Sequence, residues 1–265
     1  MLTSDPTYRQ LRIWQQNLAK LRMAQLNLLN SNTLHKEWDL ILIQEPYIDK
    51  LNNTRASSAW RVIYPTSHLT NNTCSRLVIL VNRQMDTNGW HQLTIPDSAD
   101  VTAIQIKGNS GKLSVFNIYN DCKNNNSMDV MRGYLACNQT DLTDNDNDYM
   151  LWAGDFNRHH PLWDHERNRH LFTSAAEKAA QVIIVLTADY DMTMLLPRGI
   201  DTLRARRTGN WTRLDNVFSS GTMEDLVVRC EASHRNQGPC MDHVPIHTII
   251  KLPTQKKAPT LARNF

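Results

Sequence analysis

Residues 149–163 read YMLWAGDFNRHHPLW. From Met150 to Gly154 the run is almost continuously apolar, the pattern of a strand covered on both faces. It then breaks at once into a polar group containing Asp155 and Asn157. On the N-terminal side, two more runs end the same way. LRIW at 11–14 passes through Gln15 and Gln16 to Asn17, and DLILIQ at 39–44 delivers Glu45. RLVILV at 76–81, VTAIQIK at 101–107 with a more mixed pattern, and KLSVFNIY at 112–119 complete a set of strand-like segments. Helical spacing occurs at 21–30, where Leu21, Ala24, Leu28 and Leu29 share a face. It returns at 174–187, where Ser174 and Glu177 stand in capping-box spacing ahead of Ala179, Val182, Ile183 and Leu186. Many strands and few helices predict an α/β protein of two packed sheets with helices outside.

The composition fits one large domain and excludes several chemistries. Of 265 residues, 41% are apolar, enough for a sizeable core. The formal charge of +3 resides in the tail, where Lys251, Lys256, Lys257 and Arg263 face no acid, so no broad basic surface is announced. Nine glycines are few, and neither a dinucleotide fingerprint nor a P-loop is present. Five cysteines without a C-x-x-C argue against a disulfide framework or a zinc ribbon, and for a reduced, intracellular setting rather than secretion. The apolar runs are too short for a membrane span, and MLTSDPTYRQ lacks a signal-peptide core. The acidic DLTDNDND at 141–148 reads as a solvated loop. The expected organisation is one domain over 1–252, followed by a basic tail or linker over 253–265.

Separate strands can deliver Glu45 and Asp155 to one sheet edge. Carboxylates gathered there are costly unless a cation compensates them, and oxygen ligands without thiolate favour Mg²⁺ or Mn²⁺. The plainer alternative is that each residue caps its strand. Two further features join the set: Asp215 in NWTRLDNVF, and Asp242 with His243 ahead of VPI. An Asp–His pair orients an imidazole and favours its protonated form, suited to a phosphate oxygen.

Taken in order, QQN at 15–17, IQEPY at 43–47, NIY at 117–119, GDFNRHHPLW at 154–163, RLDNVF at 213–218 and DHVPI at 242–246 resemble the metal-dependent endonuclease/exonuclease/phosphatase (DNase I-like) superfamily. Within it, the resemblance is closest to the endonuclease domains of non-LTR retrotransposons, and it covers about residues 11–252. It implies a four-layer α/β sandwich of two packed mixed sheets flanked by helices. It also implies roles: Glu45, with Asn17 and Asp242, at the metal; Tyr119 on the scissile phosphate; Asp155 orienting or deprotonating the attacking water; Asn157 steadying water and phosphate; Asp215 orienting His243; and His243 donating to a phosphoryl oxygen. The chain departs from the family at Met241, where a serine is usual, and at Asn120, where many relatives have proline.

His159, His160, Asp164, His165 and His170 invite a zinc reading, but their spacing matches no helical zinc motif. A DNA-proximal or packing role for His159 and His160, with Trp163 as loop anchor, is preferred. Arg198, Arg204, Arg206, Arg207 and Arg213 against Asp201 give 198–213 a net +4, with RRTGNW as a hairpin turn. Arg204, Arg206 and Arg207 are expected to contact DNA backbone, the alternative being a solvated edge hairpin.

The resulting expectation is a metal-dependent DNA endonuclease that nicks one strand to leave a 3′-hydroxyl. Its partner is DNA, without a membrane, its setting is nuclear, and a reverse transcriptase segment belongs to a longer parent protein. The alternatives are another phosphoesterase of the same superfamily, either phosphatase or exonuclease, and a catalytically silent nucleic-acid-binding module.

Overall fold

The computed structural model describes residues 8–68, 74–108 and 111–253. The basic tail expected over 253–265 lies outside the described residues except for the backbone of Pro253. In chain order the elements are β1 (Tyr8–Asn17), α1 (Arg22–Leu29), α2 (Leu34–Glu37), β2 (Leu40–Gln44), β3 (Trp60–Ile63), β4 (Leu77–Asn82), β5 (Trp90–Leu93), β6 (Val101–Lys107) and β7 (Lys112–Tyr119). There follow α3 (Asn126–Cys137), α4 (Gln139–Leu142), β8 (Tyr149–Asp155), α5 (Ser174–Asp189), β9 (Met192–Met194), β10 (Leu203–Arg204), β11 (Trp211–Thr212), β12 (Asp215–Ser220), β13 (Val227–Ala232) and β14 (Ile246–Pro253).

Two six-stranded sheets form the body. One runs β13-β14-β1-β2-β4-β3, the other β5-β6-β7-β8-β12-β9. Each is mixed, because β1 pairs parallel with β2 and β7 parallel with β8, while the remaining pairs are antiparallel. Between the sheets lies one apolar layer in which Leu11, Ile13, Leu40, Leu42, Ile79 and Val81 meet Ile104, Leu113, Val115, Leu151, Ala153 and Val217. Fully burying each of these leucine, isoleucine and valine side chains is worth about 1.5–3 kcal/mol. Outside the first sheet, Trp14, Ile41, Ile43, Val78 and Leu80 receive Leu28, Leu29 and Leu34 from α1 and α2. Outside the second, Phe116, Ile118, Trp152 and Phe218 receive Met128, Met131 and Leu135 from α3 and Ile183 and Leu186 from α5. Helix, sheet, sheet, helix is the four-layer α/β sandwich expected.

The structure amends three local readings. The mixed pattern of β6 does not mark a wet face: Thr102 and Gln105 are buried, and Gln105 donates to Ser114 Oγ and to the Asp141 carbonyl. Helix α5 is capped one residue earlier than expected, by Thr173, whose hydroxyl accepts from the Ala176 amide at 3.2 Å. The acidic 141–148 segment is solvated except at Leu142 and Asp148. The buried Asp148 carboxylate closes the loop by accepting from the amides of Lys112, Asp144 and Asn145.

Candidate active site

Strand registers bring the polar residues to one edge. Asn17 lies opposite Gln44 at the ends of the parallel β1 and β2, so Glu45 is the next residue out. Tyr119 lies opposite Asp155 at the ends of the parallel β7 and β8, and Asp215 opens β12 directly across from Asp155. His243 precedes β14 and forms an isolated bridge with Leu203 of β10. Residues as distant in the chain as Asn17 and His243 thus meet at Asp155, one from the end of β1 and the other from the segment just before β14.

Asp155 is 1% exposed; it accepts from Asn17 Nδ2 at 2.8 Å and from the Asn157 amide at 3.0 Å. His243 Nδ1 lies 2.9 Å from Asp215 Oδ2, and since a carboxylate only accepts, Nδ1 carries the proton there. Its Nε2 then faces Asp155, 4.0 Å away. Gln15 Nε2 donates to the other oxygen of Asp215 at 3.3 Å. Asn157 Nδ2 donates to the Asn120 carbonyl at 2.9 Å. On the first sheet's side, Glu45 Oε1 accepts from the Tyr119 hydroxyl at 3.3 Å and pairs with Lys20 Nζ at 3.2 Å. Glu45 and Asn157 both sit in the left-handed region, at φ 44° and 50°. For Glu45 that conformation costs on the order of 1 kcal/mol, and its amide is held by the Arg76 carbonyl at 2.7 Å.

Electrostatics set the protonation pattern. Burial would lower the His243 imidazole, but Asp215, Asp155 and Asp242 outweigh it and raise it to about 9, so the ring is protonated at neutral pH. Burial and the neighbouring Asp215 carboxylate raise Asp155 well above the carboxylate range, opposed by His243 and Asn17. The Tyr119 phenol is raised by burial and by Glu45 and Asp155, which keeps it a hydrogen-bond donor. Two buried carboxylates sharing one imidazolium leave an excess of negative charge that a cation relieves. Among the described residues Asp155, Asp215 and His243 are the one group of three such side chains whose ligand-type atoms lie within 4.8 Å of one another; with the imidazole protonated on both nitrogens, only the carboxylates of that group offer lone pairs to a cation. The surrounding donors are hard oxygens with no thiolate, so this edge fits a divalent cation of the Mg²⁺ class. The Asn17 carboxamide is engaged at both ends, since Oδ1 accepts from the Ala19 amide, leaving one lone pair for a cation.

The other expected site residues lie apart from this cluster or at its rim. Asp242 Oδ2 accepts from Arg206 Nε at 2.7 Å, and its carbonyl accepts from the Arg204 amide. Strands β10 and β11 form the basic hairpin, with the Arg204 guanidinium 5.8 Å from the Trp211 ring centre. His159 Nδ1 pairs with Asp164 at 2.9 Å and His160 Nδ1 accepts from the Leu162 amide, so both rings serve their own loop. His165 likewise accepts from the Arg167 amide, and no zinc-like cluster forms there among the described residues. Trp163 is buried, its indole donating to the Arg158 carbonyl.

The net +4 over 198–213 does not face solvent as one patch. Arg213 is fully buried, donating to Asn216 and to the carbonyls of Leu196, Pro197 and Trp163. Arg198 pairs with Glu166, and Asp201 pairs with Arg167.

Sequence reasoning passed over the residues that support the edge. Gln44 and Asn117 join the two sheets beneath it, with Asn117 Nδ2 donating to the carbonyls of Ile43 and Val78. Arg76 lies 4.9 Å from the Tyr119 ring centre and is ion-paired with Asp100 and Asp121. Asn120 donates from its amide to the Asp155 carbonyl and from Nδ2 to the Phe156 carbonyl, so the departure from proline is used structurally. The signal available was a polar residue interrupting an apolar run, as in IQE and FNIY.

A family model described as endonuclease-reverse transcriptase matches residues 113–247, just over half the chain. No curated protein matches. Among solved structures, the endonuclease domain of TRAS1, a telomere-specific non-LTR retrotransposon, is 16% identical with a TM-score of 0.66, over 91% of this chain and 99% of that one. The AP endonuclease LMAP from Leishmania major is 15% identical with a TM-score of 0.73, over 94% and 90%. The 3′-5′ exonuclease NExo from Neisseria meningitidis is 15% identical with a TM-score of 0.62, over 92% and 100%. At these identities the likeness is one of fold.

Proposed function

The chain belongs to the endonuclease-reverse transcriptase family, and we propose accordingly that it is a Mg²⁺- or Mn²⁺-dependent phosphodiesterase that nicks DNA, leaving a 3′-hydroxyl and a 5′-phosphate. The observation that carries the reading is the buried Asp155–His243–Asp215 constellation facing Glu45 and Tyr119 across one sheet edge.

Glu45, Asp242 and the free lone pair of Asn17 would hold the cation. When bound, it supplies positive charge to the phosphoryl oxygens and the leaving group. The chain's own groups do the rest. Asp155, held by Asn17 and the Asn157 amide, orients a water and takes its proton. Asn157 Nδ2 and the Tyr119 hydroxyl offer donors where negative charge develops. His243, protonated and fixed by Asp215, donates from Nε2 to a phosphoryl oxygen. Arg204 and Arg207 on the hairpin, with His159 and His160 on the loop after β8, are the groups assigned to backbone phosphates. We further propose that residues 1–252 act as one catalytic domain, within a parent protein that carries a reverse transcriptase and works on nuclear DNA.

The test is supercoiled plasmid with Mg²⁺ followed by primer-free extension of the product with a DNA polymerase. Nicked circles that extend support the reading. Inorganic phosphate released from phosphomonoesters, with plasmid left intact, would replace it by a phosphatase.

A further inference from the structure

Asp242 carries an unusual imbalance. Its Oδ2 is taken by Arg206 Nε at 2.7 Å, while its Oδ1 is buried and has no partner among the described residues. A carboxylate oxygen withdrawn from water without a donor is costly, and the groups that remedy it are a hydrogen-bond donor or a cation. The same carboxylate is near enough to the imidazole of His243 to favour its protonated form.

Arg206 comes from the basic hairpin, which is attached to this segment at several points. Leu203 bridges His243, the Arg204 amide donates to the Asp242 carbonyl at 2.8 Å, and the Val244 amide donates to the Thr202 carbonyl at 2.7 Å. The backbone of the hairpin is therefore fixed beside the site. The Arg206 side chain, by contrast, is 56% exposed, against 15% for Asp242. An ion pair with so exposed a guanidinium is weak and easily exchanged. A guanidinium offered both a carboxylate and a phosphate can fork to either. Arg207, the next residue, has no ion-pair partner among the described residues, so a phosphate reaching the turn finds a second cation beside the first.

We propose that Arg206 is a positioning residue that stands in for the metal at Asp242 and couples metal binding to DNA binding. Without DNA it neutralises Asp242; DNA backbone at the hairpin draws it away and leaves the carboxylate to the divalent cation. This inference rests on the metal-dependent reading above. Two ligands coupled through one side chain must each change the other's affinity by the same factor, commonly about 5- to 150-fold.

The test is Mn²⁺ titrated into the metal-free protein, with free Mn²⁺ read by electron paramagnetic resonance, for the natural protein, Arg206→Gln and Asp242→Asn. Each is measured with and without a phosphorothioate duplex that resists cleavage. Without DNA, Arg206→Gln is expected to bind Mn²⁺ about five-fold or more tightly than the natural protein. The duplex is expected to tighten Mn²⁺ binding in the natural protein and to change it little in Arg206→Gln. Equal affinities without DNA, or weaker binding by Arg206→Gln, overturn the inference and reduce the ion pair to a structural clasp. Unchanged Mn²⁺ binding in Asp242→Asn also overturns it while leaving a metal site elsewhere. Absence of Mn²⁺ binding in every variant overturns the metal-dependent reading and the inference together.

Discussion

Replacing Asp215 by Asn keeps the side chain's size but removes the charge that holds His243. In the natural protein burial pushes the imidazole down, and Asp215 is the largest of the opposing influences that raise it to about 9. A rise from the ordinary 6.5 to about 9 corresponds to about 3 kcal/mol in favour of the imidazolium. With the Asp215 charge gone, burial has lost its largest opponent, although Asp155 and Asp242 still favour the imidazolium, and the ring is expected to titrate well below about 9. A full return to the ordinary 6.5 would lower the protonated fraction at pH 7.5 from nearly all to about one in ten, which sets the loss of activity from population alone at up to about ten-fold. The sign also fixes a stability effect. A folded-state value above the unfolded one stabilises the fold fully below pH 6.5, and the gain is lost as pH rises towards about 9. Histidine resonances of the metal-free protein, titrated by nuclear magnetic resonance, measure the shift directly, and the nicking rate against pH should show its alkaline limb moving to lower pH. If His243 titrates near 6.5 in the natural protein, or does not move in Asp215→Asn, Asp215 does not hold the imidazolium.

Other expectations follow from single features. His247 is packed against Trp14 and Trp38, and burial, with Arg229 and Arg235, lowers it to about 4. Stability should therefore be lost as pH falls from 6.5 towards 4, by up to about 3 kcal/mol. Urea denaturation at pH 7.5 and 4.5 should show a smaller loss in His247→Leu, and an equal loss would refute the assignment. A Cβ on Gly154 would lie 1.9 Å from the Ile118 carbonyl oxygen, so Gly154→Ala must part β7 from β8 just beside Asp155. It should cost about 1–3 kcal/mol or more and depress nicking; an unchanged thermal melt would count against so tight a strand pairing. Arg204→Ala with Arg207→Ala should weaken DNA binding and flatten the dependence of its affinity on salt, the slope falling by about 0.9 for each phosphate no longer neutralised. A slope unaltered by the pair returns the hairpin to solvent.

The fold was legible because strand ends coincide with chemistry. Runs such as LILIQE and MLWAGD announce both burial and the polar residue at its limit, and in an α/β sandwich the loops at one sheet edge are where such residues meet. The local Asp–His pattern already pointed His243 at a phosphate oxygen, whereas the role of Tyr119 and the pairing of His243 with Asp215 came from the family resemblance. What stayed hidden were interactions that only three dimensions create. Arg213 reads as one more hairpin charge, yet four acceptors turn its guanidinium into a buried strut. Gln44 and Asn117 read as interruptions of apolar runs, yet they tie the two sheets together under the site. Asp148 reads as part of a solvated acidic loop, yet its carboxylate is buried because it accepts from two amides of its own loop and from the Lys112 amide on β7, with the Lys112 ammonium 3.6 Å away.

Whether Asp155 and His243 hydrolyse a phosphodiester with the help of a divalent cation is decided by one assay. Supercoiled plasmid is incubated with the purified protein and Mg²⁺, with chelator added in parallel and Asp155→Asn alongside at a matched thermal melt. Nicked circles should form, disappear with chelator and return with added Mg²⁺ or Mn²⁺. In Asp155→Asn they should be reduced at least about a hundred-fold, on the order of removing one catalytic proton-transfer group. Nicking that persists in chelator, or that Asp155→Asn leaves undiminished, would contradict the proposed chemistry.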